Sequence, residues 1–219
     1  MTPCARCLGL SLAAACAAGS LAAQSPVLSA GATVVGVRAQ GDGISGPTRN
    51  AGTVLGGLAT ARFGKVEVEG RYLEGVLQPQ DAASSRRDLV EGQLAVGFHA
   101  TPWLATQTAL RARTYVMPEG GGGTERWLVW LLGVRVETPL VGTLVRGDVG
   151  LWGALAMSAN VGSTDGRSGR GGDAGVTLQL PSRPLWFRLA YGIDRGSVAG
   201  AARRETVEEF TLTVGVQRR

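Results

Sequence analysis

Apolar and polar residues alternate one by one along most of this chain. Between positions 66 and 72, two valines, a glycine and a tyrosine share one face, whereas Glu67, Glu69 and Arg71 share the other. The segments 90–98, 187–194 and 209–216 alternate in the same way. A period of two is typical of a β-strand whose two faces meet different surroundings. The pattern therefore predicts an all-β chain.

Segments of this kind follow one another after residue 23, and most run for about 9 to 14 residues, the length at which a tilted strand can cross a bilayer. Strands of soluble proteins are usually shorter, about 5–6 residues. We therefore predict about ten membrane-crossing strands, or eight or twelve if the region 141–172 is merged or split. The segments begin near Ala32, Thr53, Lys65, Leu89, Trp103, Glu125, Thr143, Asp173, Leu185 and Thr206.

The connections between these segments alternate in length. Short ones lie at 63–65, 100–102, 139–142 and 181–184. Longer ones, rich in Gly, Ser, Pro, Asp and Arg, lie at 40–50, 77–88, 117–124, 159–172 and 195–205. Outer-membrane barrels have short turns on the periplasmic side and long loops outside the cell. The pattern predicts the same arrangement here, with both termini on the side of the short turns.

Aromatic residues lie near the predicted strand ends, where two girdles at the membrane interfaces would place them. One group lies beside the short turns and the other near the long loops. The first group is Phe63, Phe98, Trp103 and Trp186, and the second is Tyr72, Tyr115 and Trp127.

In strand length, loop alternation and aromatic placement, the chain resembles the small Gram-negative outer-membrane β-barrel proteins. The resemblance implies an antiparallel up-and-down transmembrane β-barrel in the bacterial outer membrane. It also implies contact with outer-membrane lipid and insertion by the barrel-assembly machinery. Such proteins commonly end in an aromatic residue, whereas this chain ends in Gln217, Arg218 and Arg219.

The first 23 residues have the features of an export signal. Arg6 precedes a short stretch of apolar and small residues, and small residues before Gln24 offer a cleavage site. We therefore predict a signal peptide at 1–23 and one barrel domain at 24–219. All three cysteines, Cys4, Cys7 and Cys16, lie within the signal, so the mature chain is expected to lack thiol chemistry. The alternative is that Cys16 is lipidated.

The net charge of +5 comes almost wholly from arginine, since Lys65 is the only lysine. No basic run is interleaved with aromatic residues, so the sequence predicts no nucleic-acid partner.

When the alternation is used to assign each residue to the inner or the outer face, charged residues of both signs are expected to face the lumen. A barrel of about eight strands is narrow enough for side chains to fill it. Unpaired charges there would be costly, so we predict an Arg–carboxylate network that fills and braces the interior. Its predicted members are Arg38, Glu67, Glu69, Arg71, Glu91, Arg111, Arg113, Arg135, Arg146, Asp148, Arg188, Asp194 and Glu209, with Arg62 and Glu137 as further inward candidates.

No catalytic motif stands out in the chain. The single histidine, His99, lies beside a short turn, away from the long loops, and a His/Cys metal site is not expected. We therefore predict no enzymatic activity, no cofactor and no metal. The expected role is structural or one of surface interaction. The alternative is a channel for small solutes or a hydrophobic ligand, and a barrel hydrolase is less favoured.

Arginines are also common in the predicted outer loops. Because guanidinium groups bind phosphate in a bidentate manner, contact with lipopolysaccharide is a hypothesis for Arg86, Arg87, Arg203 and Arg204.

Overall fold

The computed structural model describes residues 25–43, 46–118, 123–159, 167–198 and 203–218. The predicted signal peptide and Cys16 lie outside the described residues. The described chain forms a closed barrel in which each strand is antiparallel to its neighbours and the first pairs with the last. The strands are β1 Val27–Gly43, β2 Gly46–Phe63, β3 Val66–Pro79, β4 Arg87–His99, β5 Leu104–Val116, β6 Thr124–Val141, β7 Val145–Ala159, β8 Arg167–Gln179, β9 Leu185–Val198 and β10 Arg203–Arg218.

The predicted fold class, an all-β up-and-down barrel, is confirmed, with ten strands rather than eight or twelve. Among the described residues no helix is long and apolar enough to cross a membrane. We call the end with the short connections, where β1 starts and β10 stops, the turn end. The opposite end is the loop end. At the turn end, Gly64 and Gly142 have φ angles of 57° and 52°, a left-handed conformation that suits a residue without a β-carbon.

The prediction of long loops at 40–50 and 195–205 is largely wrong, because β-strands occupy most of both ranges. The ladder of β1 and β2 runs without interruption from Val27 opposite Arg62 to Gly43 opposite Gly46. Glycine and polar residues favour turns in isolation. In a closed barrel, however, each strand has a partner on both sides, and this pairing outweighs weak local preferences.

Apolar side chains cover the outer wall from the turn end towards the loop end. Leu94, Leu151 and Phe210 are each more than half exposed. On eight strands this band ends at an outward charged residue near the loop end, and we call these residues the charged ring. So large an apolar surface is stable in lipid rather than in water, and the ring marks the membrane boundary. The charged ring is Arg38, Arg49, Glu74, Asp88, Arg126, Arg170, Arg195 and Glu208.

The predicted girdles are correct in part. Tyr72, Phe98 and Trp103 are about half exposed on the outer wall. For Tyr115, Trp127 and Trp186 the prediction was wrong, because these side chains face the lumen and are 0%, 3% and 8% exposed. Each lies two residues away from inward-facing residues of its strand and therefore points into the lumen as well. Their large rings fill space in a narrow barrel.

Candidate functional site: the filled lumen

The lumen is filled in its loop-end half by packed apolar side chains. Every member of this group has at most 7% of its surface exposed. Its members come from eight of the ten strands, among them β1, β3, β5 and β7, so the packing reaches across the barrel rather than lining one wall. We call this group the apolar plug, and it consists of Val35, Val37, Ala39, Val54, Leu73, Leu77, Leu89, Tyr115, Trp127, Met157 and Val207.

Beside the plug, Arg113 joins carboxylates from two strands. Its guanidinium donates hydrogen bonds to Glu91 at 2.6 Å and to Glu209 at 3.2 Å, and Glu205 lies 3.9 Å away. Arg71 donates to the same Glu209 at 2.5 Å. Glu91 is the cross-strand neighbour of Arg113, whereas Glu209 belongs to β10 on the far side of the barrel. The cluster therefore ties β3, β4 and β5 to β10.

A second cluster is centred on Asp194 of β9. Arg111 of β5 forms an ion pair with Asp194 and donates a second hydrogen bond to Gln93 at 2.8 Å. The indole of Trp152 donates to the other oxygen of Asp194 at 2.7 Å, and the guanidinium of Arg111 lies 5.8 Å from the centre of that ring. Asp194 is thus held from two directions.

A third cluster lies nearer the turn end. Arg188 donates to Asp148 at 2.5 Å and to Asp173 at 2.8 Å. Arg135 lies 3.3 Å from the same Asp173. The four side chains come from β6, β7, β8 and β9, so they link four consecutive strands on their inner face.

Glycines on the inner face make room for these ion pairs. A β-carbon added at Gly175 would lie 2.8 Å from the Arg188 guanidinium and 2.9 Å from Asp148. One added at Gly171 would clash with the Trp152 indole nitrogen. Part of the chain's abundant glycine therefore serves the lumen rather than loops.

We expect Gly175→Val to lower the free energy of unfolding by about 3 kcal/mol, because the new side chain would separate Arg188 from its carboxylates. Gly92→Val is the matched control, since a β-carbon at this strand glycine meets nothing within 4 Å. Urea unfolding in lipid vesicles measures both. An equal effect of the two substitutions would contradict the inferred role of Gly175.

The turn-end mouth is polar and more open. Glu67 lies 3.5 Å from the imidazole of the buried His99. Glu69 faces the lumen and Arg146 lies exposed at the mouth, and neither makes an ion pair within 4.0 Å with another described residue. Arg62 donates to the backbone carbonyl of Gly64 at 3.2 Å.

A central cavity of about 150 Å³ lies on the turn-end side of the plug. It is lined by Arg71, Arg111, Arg135 and Arg188 together with carboxylates and amides. A cavity of about 200 Å³ at the turn end shares Leu58, Arg135 and Arg188 with it. The lumen is therefore a polar vestibule that leads from the turn end to the plug.

Two predicted site residues lie elsewhere. Arg38 was wrongly predicted to face the lumen: its side chain is 65% exposed on the outer wall, 3.7 Å from Glu208. The inward positions of this part of β1 hold Val35, Val37 and Ala39.

Arg87 was predicted to contact lipopolysaccharide, and its placement contradicts this. It is 7% exposed inside the loop end, because it shares inward parity with Leu89. Its guanidinium lies 3.7 Å from Glu125 and 5.6 Å from the centre of the Tyr115 ring. Arg86 is 43% exposed beside Asp88, Arg204 is exposed, and the side chain of Arg203 lies outside the described residues.

Sequence reasoning missed several lumen residues. Glu125 and Glu205 lie at the limits of the predicted segments, where alternation is too short to assign a face. Asp173 opens a predicted segment, and its parity with Thr177 and Gln179 is the signal that could have placed it inside.

Neither a scan of protein-family models nor a search of curated proteins finds a match. Among solved structures, the chain is similar to the outer membrane protease OmpT from Escherichia coli, with a TM-score of 0.52 and 8% identity over 87% of this chain and 96% of that one. It is also similar to the translocator domain of autotransporter NalP from Neisseria meningitidis, with a TM-score of 0.43 and 14% identity over 98% and 95%. A further similarity is to Neisserial surface protein A, with a TM-score of 0.44 and 11% identity over 88% and 99%.

At 8% identity the likeness to OmpT shows the fold alone. Together with the closed topology and the apolar outer wall, it makes the chain an outer-membrane β-barrel. The class of protein predicted from the sequence is confirmed.

Proposed function

We propose that this protein is a non-conducting barrel with a structural or surface-interaction role in the outer membrane. The observation that carries the proposal is the apolar plug. Val35, Val54, Leu77 and Tyr115 each have no exposed surface, although they come from four different strands. Close packing of this kind opposes the passage of water and ions.

The ion-pair clusters support the same role. Arg71, Arg111 and Arg113 are held by carboxylates from the opposite wall, on β9 and β10. Charges that conduct ions must exchange partners with water, whereas these are fixed by several contacts each. We therefore assign the network to bracing the barrel and not to selecting a solute.

The proposal includes no catalytic step. His99, the only histidine, is 5% exposed beside Glu67 at the turn end, and the loop-end ion pair of Arg87 and Glu125 lies within the barrel. That the chain is not an enzyme remains a prediction.

Planar-bilayer recording tests the proposed role. The refolded full-length mature barrel is expected to give no stable single-channel steps, because the plug closes the loop-end half. An open porin reconstituted by the same procedure is the positive control. Reproducible steps of uniform size from the folded barrel would favour the alternative, a channel for small solutes.

Contact with lipopolysaccharide remains part of the proposal for Arg86, whose side chain is 43% exposed, and for Arg204, which is exposed at the loop end. We expect the double substitution Arg86→Gln and Arg204→Gln to weaken lipopolysaccharide association of the purified barrel by about tenfold, equivalent to about 1.4 kcal/mol. Arg183→Gln, at an exposed turn-end position, is the control. Unchanged association of the double variant would rule out this contact.

A further inference from the structure

The hydrogen-bonded ladder between β7 and β8 stops before either strand does. Their pairing ends at Gly153 opposite Arg170, although β7 continues to Ala159 and β8 begins at Arg167. Beyond this point β7 stays paired with β6, and β8 stays paired with β9. Among the described residues, the wall therefore lacks hydrogen-bonded pairing between residues 154–159 of β7 and residues 167–169 of β8 at the loop end. We call this unpaired stretch the seam.

A bulge in β7 accompanies the seam. Leu131 and Trp130 of β6 are paired with Ala154 and Ala156, so Leu155 is left without a partner in that ladder. A bulge bends and twists its strand and often ends the pairing on the other side. The seam is thus explained by the local structure of β7.

A pocket of about 50 Å³ lies at this seam. Its inner lining includes Trp127, Trp152 and Met157, and Arg170 and Arg195, whose side chains are exposed on the outer wall, also line it. The ion-paired residues on its inner side are Arg111, Arg113, Asp194 and Glu205. The pocket therefore lies against the wall at the level of the charged ring, directly behind Arg170 and Arg195.

Met157 controls the size of this pocket. A β-carbon added at Gly169 would lie 2.6 Å from its terminal methyl group, and one added at Gly196 would lie 3.6 Å from it. The methyl group therefore sits against these two glycines of the neighbouring strands. Methionine is flexible and adapts to irregular spaces, so we expect the position of this side chain to set the size of the pocket.

The two arginines at the mouth are direct cross-strand neighbours, Arg170 on β8 opposite Arg195 on β9. Both are exposed on the outer wall, and neither has an ion pair within 4.0 Å with another described residue. Like charges directly opposite each other destabilise a sheet. An anion bound by both guanidinium groups would relieve this repulsion through charge-assisted hydrogen bonds.

We propose that the seam binds one anionic amphiphile, with its phosphate or carboxylate group on Arg170 and Arg195. Its acyl chain passes between β7 and β8 into the pocket and packs against Trp127 and Trp152. The charged ring places the two arginines where lipid headgroups lie, and the pocket begins directly behind them. This site is additional to the proposed non-conducting role and stands whether or not the barrel conducts.

Quenching of tryptophan fluorescence by brominated acyl chains tests the site. Three of the five tryptophans are first replaced by phenylalanine, so that only Trp127 and Trp152 report. The refolded barrel in nonionic detergent is titrated with a mid-chain brominated fatty acid, its uncharged methyl ester and a brominated phosphatidic acid. The replaced residues are Trp103, Trp130 and Trp186.

We expect saturable quenching by the two anionic probes and at least about tenfold weaker binding of the ester. The double substitution Arg170→Gln and Arg195→Gln should weaken binding of the anionic probes by a similar factor. Arg49→Gln is the matched control, because Arg49 also belongs to the charged ring but lies opposite Gln40 rather than another arginine. The anion that binds more tightly identifies the source, a free fatty acid or a membrane phospholipid.

Met157 provides an independent test of the pocket. Met157→Ala should tighten binding of both anionic probes and Met157→Phe should weaken it, because the two substitutions enlarge and fill the space behind the seam. Near-ultraviolet circular dichroism shows whether each variant is folded. The proposal would be overturned if the ester bound as tightly as the anionic probes, or if the double arginine variant bound those probes as tightly as the unsubstituted barrel. It would also be overturned if neither Met157 substitution changed their binding.

Discussion

Arg113→Met is expected to lower the free energy of unfolding by about 3–5 kcal/mol, the usual cost of removing one partner of a buried ion pair. Arg113 lies between Glu91, Glu205 and Glu209, and only 7% of its side chain is exposed. Methionine fills a similar volume but leaves these three carboxylates without their shared cation. Urea unfolding in vesicles, followed by gel mobility, measures the change.

Two further variants separate charge from packing. Arg38→Met removes an arginine whose side chain is 65% exposed and 3.7 Å from Glu208, so it should cost no more than about 1 kcal/mol. Adding Glu91→Gln to Arg113→Met should recover part of the lost stability, because it removes one of the carboxylate charges that Arg113 balances. If Arg113→Met costs no more than Arg38→Met, the network does not brace the barrel.

The face of most charged lumen residues could be predicted because alternation is strong where polar and apolar positions contrast. Arg71, Glu91 and Arg113 lie inside for this reason. In β1 the contrast fails, since Val34 faces lipid and Val35 faces the plug. Two apolar faces give no signal of direction, and Arg38 was assigned to the wrong one.

The partners across the lumen could not be predicted at all. Arg71 contacts Glu209, and Arg111 contacts Asp194, over sequence separations of 138 and 83 residues. Which side chains meet depends on strand tilt and stagger in the closed barrel, and these are properties of the whole sheet. The plug was not predicted for a related reason. When each strand is considered alone, Tyr115 and Trp127 resemble aromatic residues at a membrane interface.

Truncating the plug is expected to open the vestibule to the loop end. The variant Leu77→Ala, Tyr115→Ala and Trp127→Ala removes three side chains that are at most 3% exposed. Such truncations leave space that the surrounding structure fills only in part. A cysteine placed at Gln107, which lines the central cavity, reports access, because all native cysteines lie at positions 4, 7 and 16 within the predicted signal peptide.

Labelling with a membrane-impermeant methanethiosulfonate reagent measures that access from each side of sealed vesicles. With the plug intact, Gln107→Cys should react only from the side that also labels Ser182→Cys, an exposed position in a turn-end connection. With the plug truncated, it should also react from the side that labels Ala82→Cys, which is exposed at the loop end. The two reporters fix the orientation of the barrel independently. Labelling of Gln107→Cys from the loop end in the intact barrel would show that the plug does not close the lumen, and the non-conducting role would then lose its basis.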